Sequence, residues 1–196
     1  MKKLNLKQTA LLVIDMQNDF VVKNSFLNVP GIASNLPRFK KFIDQCRAAG
    51  LPVIYTRHVF SLKRNPVEAK LFPQMGRRGL RRGTPGWQIT PVLKPVSGDL
   101  VIDKSRYDAF YKTSLEKILK TKKISNVVIT GTLTNVCCES TARSAMNRDF
   151  WVWFLSDLTF TYTKKEQNNT LENIAQHFGW IGSSDIFFTY IKNSLF

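Results

Sequence analysis

Six short apolar runs, each closed by turn residues and separated by helix-like stretches, constrain this chain more than any other feature: Ala10 to Ile14, Pro52 to Tyr55, Leu100 to Ile102, Val127 to Ile129, Trp151 to Leu155 and Ile186 to Tyr190. Continuous runs of this length, without polar alternation, suit strands buried on both faces. Helical spacing fills the intervals at Ala33 to Ala49, Ser114 to Thr121, Val136 to Asn147 and Lys164 to Phe178. Strand and helix in alternation predict an α/β fold with a doubly wound, mostly parallel sheet of about six strands. The Ala33 to Ala49 helix has the clearest stop, Ala49-Gly50 with Pro52 just beyond, and its stripe of Leu36, Phe39, Ile43 and Cys46 assigns that cysteine to the core.

A chain of 196 residues is long enough for one well-buried domain and short for two. We expect one domain over 1–196, with a long lid-like insertion at about 58–98 that carries five prolines and Trp87. Neither a secretory h-region nor a membrane span is evident. The three cysteines include no Cys-x-x-Cys pair, which argues against a disulfide framework or structural zinc and for a reducing, cytoplasmic setting.

The formal charge of +15 raises the question of a polyanion partner. Most of the excess is dispersed over helix ends and loops, where solvated charge is its ordinary use, so a nucleic-acid partner is not expected. The exception is the group Arg77, Arg78, Arg81 and Arg82 between glycines, which is either a solvated loop or an anion-recognising lid. Neither a Gly-x-Gly-x-x-Gly fingerprint nor a complete Walker A motif is present, so dinucleotide and nucleoside-triphosphate chemistry lack their phosphate cradle.

In such a sheet, ligands bind outside the carboxyl ends of the strands. Asp15 closes the first run, Lys104 follows Val101-Ile102-Asp103, and Cys137 begins the helix after the Val127 strand, so all three should face one crevice. A helix start lowers a thiol pKa through free backbone N–H groups and the dipole, which favours Cys137 as a thiolate nucleophile. Asp15 can accept the thiol proton, Lys104 can hold that carboxylate charged, and the Cys137 N–H can receive an oxyanion.

Three segments carry a family resemblance: Asp15-Met16-Gln17-Asn18-Asp19-Phe20, Lys104-Ser105-Arg106-Tyr107-Asp108-Ala109-Phe110, and Gly131-Thr132-Leu133-Thr134-Asn135-Val136-Cys137 continuing through Glu139 to Arg143. Together they resemble the isochorismatase-like cysteine hydrolases. The resemblance implies a three-layer α/β/α fold, a catalytic triad of Asp15, Lys104 and Cys137, and a cis peptide before Leu133 whose N–H joins that of Cys137 in an oxyanion hole. It also implies hydrolysis of a small amide, ureido or carbamoyl C–N bond through a thioester, and a homo-oligomer, dimer or tetramer. Nicotinamidase members carry a metal on an aspartate and two histidines, whereas this chain has only His58 and His177, so no metal and no cofactor is expected.

Gln17, Phe20, His58, Trp87, Tyr107 and Phe110 are the candidate substrate-binding residues, standing on loops or near strand ends. Two other readings compete. One is hydrolysis of an isochorismate-type vinyl ether. The other is a non-catalytic basic protein binding polyanions on the same fold.

Overall fold

The computed structural model describes residues 5–74 and 79–192. Its six strands are β1 (Thr9–Ile14), β2 (Val53–His58), β3 (Leu100–Lys104), β4 (Asn126–Thr132), β5 (Trp151–Phe160) and β6 (Trp180–Gly182). They form one parallel sheet in the order β3-β2-β1-β4-β5-β6. Chain order reverses between β1 and β4, the position at which an open parallel sheet leaves a crevice beyond its carboxyl ends.

Among the described residues the α-helices are α1 (Asn18–Val21), α2 (Leu36–Ala48), α3 (Pro66–Leu71), α4 (Leu115–Thr121), α5 (Glu139–Met146), α6 (Lys164–His177) and α7 (Ser184–Lys192). Because successive strand residues face opposite sides, the buried run of β1 divides between two cores. Leu11 and Val13 join Phe39, Phe42, Ile43 and Cys46 of α2 and Phe187 of α7. Ala10, Leu12 and Ile14 join Leu115 and Leu119 of α4, Ala142 and Ala145 of α5 and Ile174 of α6. A sheet with a separate helical core on each face is the three-layer α/β/α arrangement.

Two local devices fix the frame. Helix α2 ends in a Schellman motif, with Leu51 N–H bonded to the Cys46 carbonyl at 3.0 Å, Gly50 N–H to that of Arg47 at 2.9 Å, and Gly50 at φ 77°. On β4, Gly131 has φ 119°, and a Cβ there would lie 2.0 Å from the Ile14 carbonyl oxygen. Only glycine lets β4 run alongside the end of β1 and deliver the following turn to the crevice.

The apolar run Ile186 to Tyr190 is a helix, not the sixth strand. Its Phe187 and Tyr190, one helical turn apart, both pack on Trp153, with ring centroids at 5.7 and 5.3 Å. Asp157 anchors the start of that helix by accepting from the Ser184 N–H at 2.8 Å and its hydroxyl at 2.6 Å. The sixth strand is the three-residue Trp180–Gly182 instead. The aromatic, β-branched composition favoured a strand, and tertiary packing overrode it.

Between β2 and β3 the chain folds back over the loop that follows β1. Asn18 N–H bonds to the Gln88 carbonyl, Thr90 N–H bonds to that of Met16, and Gln17 forms a bridge with Ile89. Among the described residues no helix is long and apolar enough to cross a membrane.

Candidate active site

Asp15 stands one residue past β1, fully buried and in a left-handed conformation at φ 49°. Thr56, on β2, holds it from both ends: the Thr56 hydroxyl donates to Asp15 Oδ1 at 2.6 Å and accepts from the Asp15 N–H at 3.1 Å. The other oxygen, Oδ2, has the Lys104 ammonium at 2.6 Å.

Lys104 is the last residue of β3, two strands away, and its side chain reaches across the end of β2 to make that contact with no solvent exposure. Its ammonium also donates to the Arg106 carbonyl at 3.1 Å. Burial works against this charge, but the attraction of Asp15, followed by that of Cys137, outweighs it and holds the lysine pKa above its ordinary value.

Cys137 lies in a π-helical turn, Thr134–Cys138, between β4 and α5. Neighbours lock that turn: Thr134 donates to Gln167 Oε1 and Thr161 donates to Asn135 Oδ1, both at 2.6 Å. The preceding Thr132–Leu133 peptide is cis. Buried within the site, the Cys137 sulfur lies within 4.8 Å of the Asp15 carboxylate and feels the charges of both Asp15 and Lys104. The structure thus brings together all three residues singled out at the strand ends.

It corrects the expected charge of the thiol. Burial dominates and pushes the Cys137 pKa well up, Lys104 pulls it back, and Asp15 raises it again, so the resting group is a neutral thiol rather than a preformed thiolate. Whatever a helix start contributes, it does not overcome desolvation here.

The ligand atoms of Asp15, His58 and Cys137 lie within 4.8 Å of one another. A cation already sits among them, since the Lys104 Nζ is 2.6 Å from Asp15 and 3.5 Å from His58 Nδ1. That ammonium would repel a metal ion from the same donors. Burial first, and Lys104 second, lower the His58 pKa to about 3, so its ring is neutral.

A cavity of about 560 Å³ opens above this cluster, and Phe20, His58, Tyr107, Leu133 and Cys137 all line it. Three other candidates do not reach its wall. Gln17 is a brace, donating to the carbonyls of His58 at 3.1 Å and Trp87 at 2.8 Å and accepting from the His58 N–H at 2.7 Å. Trp87 lies beneath Arg57, whose guanidinium carbon is 3.9 Å from the ring centroid. Phe110 is a core residue stacked on Phe150 at 5.8 Å. Each stands close in sequence to a triad segment or loop tip, but its side chain is turned to the structural side of the backbone.

Thr56, Asn135, Glu68 and Glu166 were not anticipated. The parallel register signals Thr56, since it falls one position beyond the Val13–Tyr55 pair and therefore beside the end of β1. Glu68 comes from α3 and Glu166 from the start of α6, and nothing in their local sequence marks them. Of the arginine cluster, Arg82 pairs with Asp103 at 2.6 Å, Arg81 lines a separate groove, and Arg77 and Arg78 lie outside the described residues.

Comparison with known proteins gives a family and a fold. The isochorismatase domain family matches residues 9–186. A ureidoacrylate amidohydrolase RutB of Methylorubrum extorquens is 32% identical over 194 residues, covering 88% of this chain and 78% of the relative. One from Pseudomonas savastanoi pv. phaseolicola is 32% identical over 203 residues, covering 93% and 83%. Among solved structures, a cysteine hydrolase of Pseudomonas syringae pv. phaseolicola superposes with a TM-score of 0.92 at 28% identity, covering 99% of this chain and 97% of that one. N-carbamoylsarcosine amidase of Thermoplasma acidophilum gives 0.80 at 25% identity, covering 91% and 97%.

Proposed function

This chain belongs to the isochorismatase family, and from that premise we propose that it hydrolyses a C–N bond of a small amide, ureido or carbamoyl compound through a thioester on Cys137. The observation that carries this reading is the buried contact of Asp15, Lys104 and Cys137 at the base of a substrate-sized cavity. Amide and carbamoyl chemistry is also what the names of its amidohydrolase and amidase relatives describe.

The reaction follows from the resting protonation states. Cys137 Sγ attacks the substrate carbonyl while Asp15 takes the thiol proton, which makes a poor nucleophile competent at the moment of attack. Lys104 pairs with the carboxylate at 2.6 Å and faces the sulfur as negative charge develops there. The backbone N–H groups of Leu133 and Cys137 are assigned to the oxyanion. As the C–N bond breaks, Asp15 passes its proton to the departing nitrogen, leaving a thioester and a free amine or ammonia. Water then attacks the thioester and gives a proton to Asp15. The C–S bond breaks, and the sulfur recovers that proton as the acid product leaves.

Phe20, His58 and Tyr107 enclose the substrate in this reading, and the segment 58–98 covers it as part of one domain. The same reading places the enzyme in the cytoplasm as a homo-oligomer, a dimer or tetramer. The test is ammonia release from a panel of ureido acids, carbamoyl compounds and small amides by the parent and by Cys137→Ala. Turnover should vanish in the variant with circular dichroism and melting temperature preserved. Undiminished hydrolysis would reject the assignment.

A further inference from the structure

Resting on the amide-hydrolase reading above, we infer that the substrate carries an apolar group without a carboxylate at its far end from the scissile bond. The cavity walls are the first reason. Phe20, Phe26, Leu27, Phe72, Leu80 and Leu133 line a volume of about 560 Å³, within the range that encloses a whole ligand rather than only its reacting amide.

Charge is the second reason. Among the described residues lining the cavity, the only formally charged side chains are two carboxylates, Glu68 and Glu166. Both are fixed in place. Asn65 Nδ2 donates to Glu68 Oε2 at 2.6 Å, and Glu166 Oε2 accepts from the Thr163 N–H at 3.0 Å and its hydroxyl at 2.8 Å. The described cations nearby are engaged by other groups. Lys104 is buried against Asp15, and Arg57 and Arg82 share Asp103 outside the cavity. Arg106 donates to the Ser105 carbonyl at 2.6 Å and lines a smaller hollow that adjoins the cavity across Glu68, Leu71 and Tyr107. Among the described residues, a substrate carboxylate would lose its hydration and meet like charge with no counter-cation lining the cavity.

The third reason is a buried polar group left without a partner. His58 Nδ1 faces the Lys104 ammonium at 3.5 Å, and an ammonium only donates, so the ring proton belongs on Nε2. That Nε2 is buried on the cavity side without a hydrogen-bond partner, 3.7 Å from Glu68 Oε1. A single neutral donor suits a carbonyl oxygen. It is not the bidentate clamp that carboxylate recognition uses. The ureidoacrylate in the relatives' names is a carboxylate, so this cavity departs from that substrate type.

Matched pairs test the inference: hexanamide against 6-amino-6-oxohexanoate, and phenylurea against 4-carboxyphenylurea, compared by kcat/KM for ammonia release. The uncharged member should win by at least about 100-fold, because like-charge juxtaposition in a desolvated site costs several kcal/mol. In the double variant Glu68→Gln, Glu166→Gln that ratio should fall about tenfold or more, and glutamine retains the helix-capping bond at position 166. Equal or preferred turnover of the acids overturns the substrate class while amide hydrolysis stands, as does a ratio unmoved in the double variant. No Cys137-dependent ammonia from any of the four overturns both.

Discussion

Replacing either partner of the buried Asp15–Lys104 pair leaves the other charge stranded. Both side chains have no solvent exposure, and their charged atoms are 2.6 Å apart. Removing one member of a buried pair costs about 3–5 kcal/mol, most of it the penalty of an uncompensated ion. In a chain of this length each kcal/mol moves the melting temperature by about 2–4 °C, so Asp15→Asn and Lys104→Met should each melt about 6–20 °C below the parent. The double variant removes both charges. It should be no less stable than either single variant, with the two effects non-additive by at least about 2 kcal/mol. Thermal unfolding by circular dichroism, together with urea midpoints, supplies the cycle. All three variants should be inactive. Additive losses, or single variants within about 2 °C of the parent, would refute the reasoning that these charges depend on each other for burial.

His58 makes stability depend on pH. Its folded pKa is lowered to about 3 by burial, against an ordinary value near 6.5, so below pH 6.5 the unfolded chain binds a proton that the folded one does not. Stability is therefore lost as pH falls through the window from 6.5 towards 3, by about 2 kcal/mol between pH 7 and pH 5. Urea unfolding of the parent and His58→Gln at both values should show the variant lacking that increment; equal pH slopes would count against it. The Cys137 thiol, raised by burial, should react with iodoacetamide at a rate that climbs about tenfold per pH unit from 7 to 9, since only the thiolate is alkylated. Peptide mapping checks this, and a rate already level at pH 7 would mean that a thiolate is preformed.

How far this site could be read in advance depended on where side chains leave the backbone. Asp15 and Lys104 were legible because each interrupts or closes an apolar run, and a parallel sheet presents every such end to one crevice. Cys137 was legible for the same reason, as the residue that follows a strand into a helix. Its protonation state was not, because that depends on how completely three distant segments exclude water. Gln17 and Phe110 have the same local signature as Phe20 and Tyr107, yet the first pair braces and fills while the second faces the cavity. Backbone direction in a loop decides that difference, and no hydrophobic period encodes it. Helix α7 was misread because Phe187 and Tyr190 find Trp153 one helical turn apart, a contact invisible without the partner. Glu68 and Glu166 arrive at the cavity from helices whose own patterns point to ordinary solvated carboxylates.

The central claim is that the sulfur of Cys137, activated at the instant of attack by Asp15 and Lys104, bonds covalently to the substrate carbonyl. Acid-quenched reactions with any ammonia-releasing substrate, followed by intact-mass and peptide analysis, test it directly. The expected result is an acyl or carbamoyl adduct on the peptide containing Cys137, formed within the first turnover, absent from Cys137→Ala and chased by water. Steady ammonia release with no adduct on that peptide, sustained in Cys137→Ala, would contradict it.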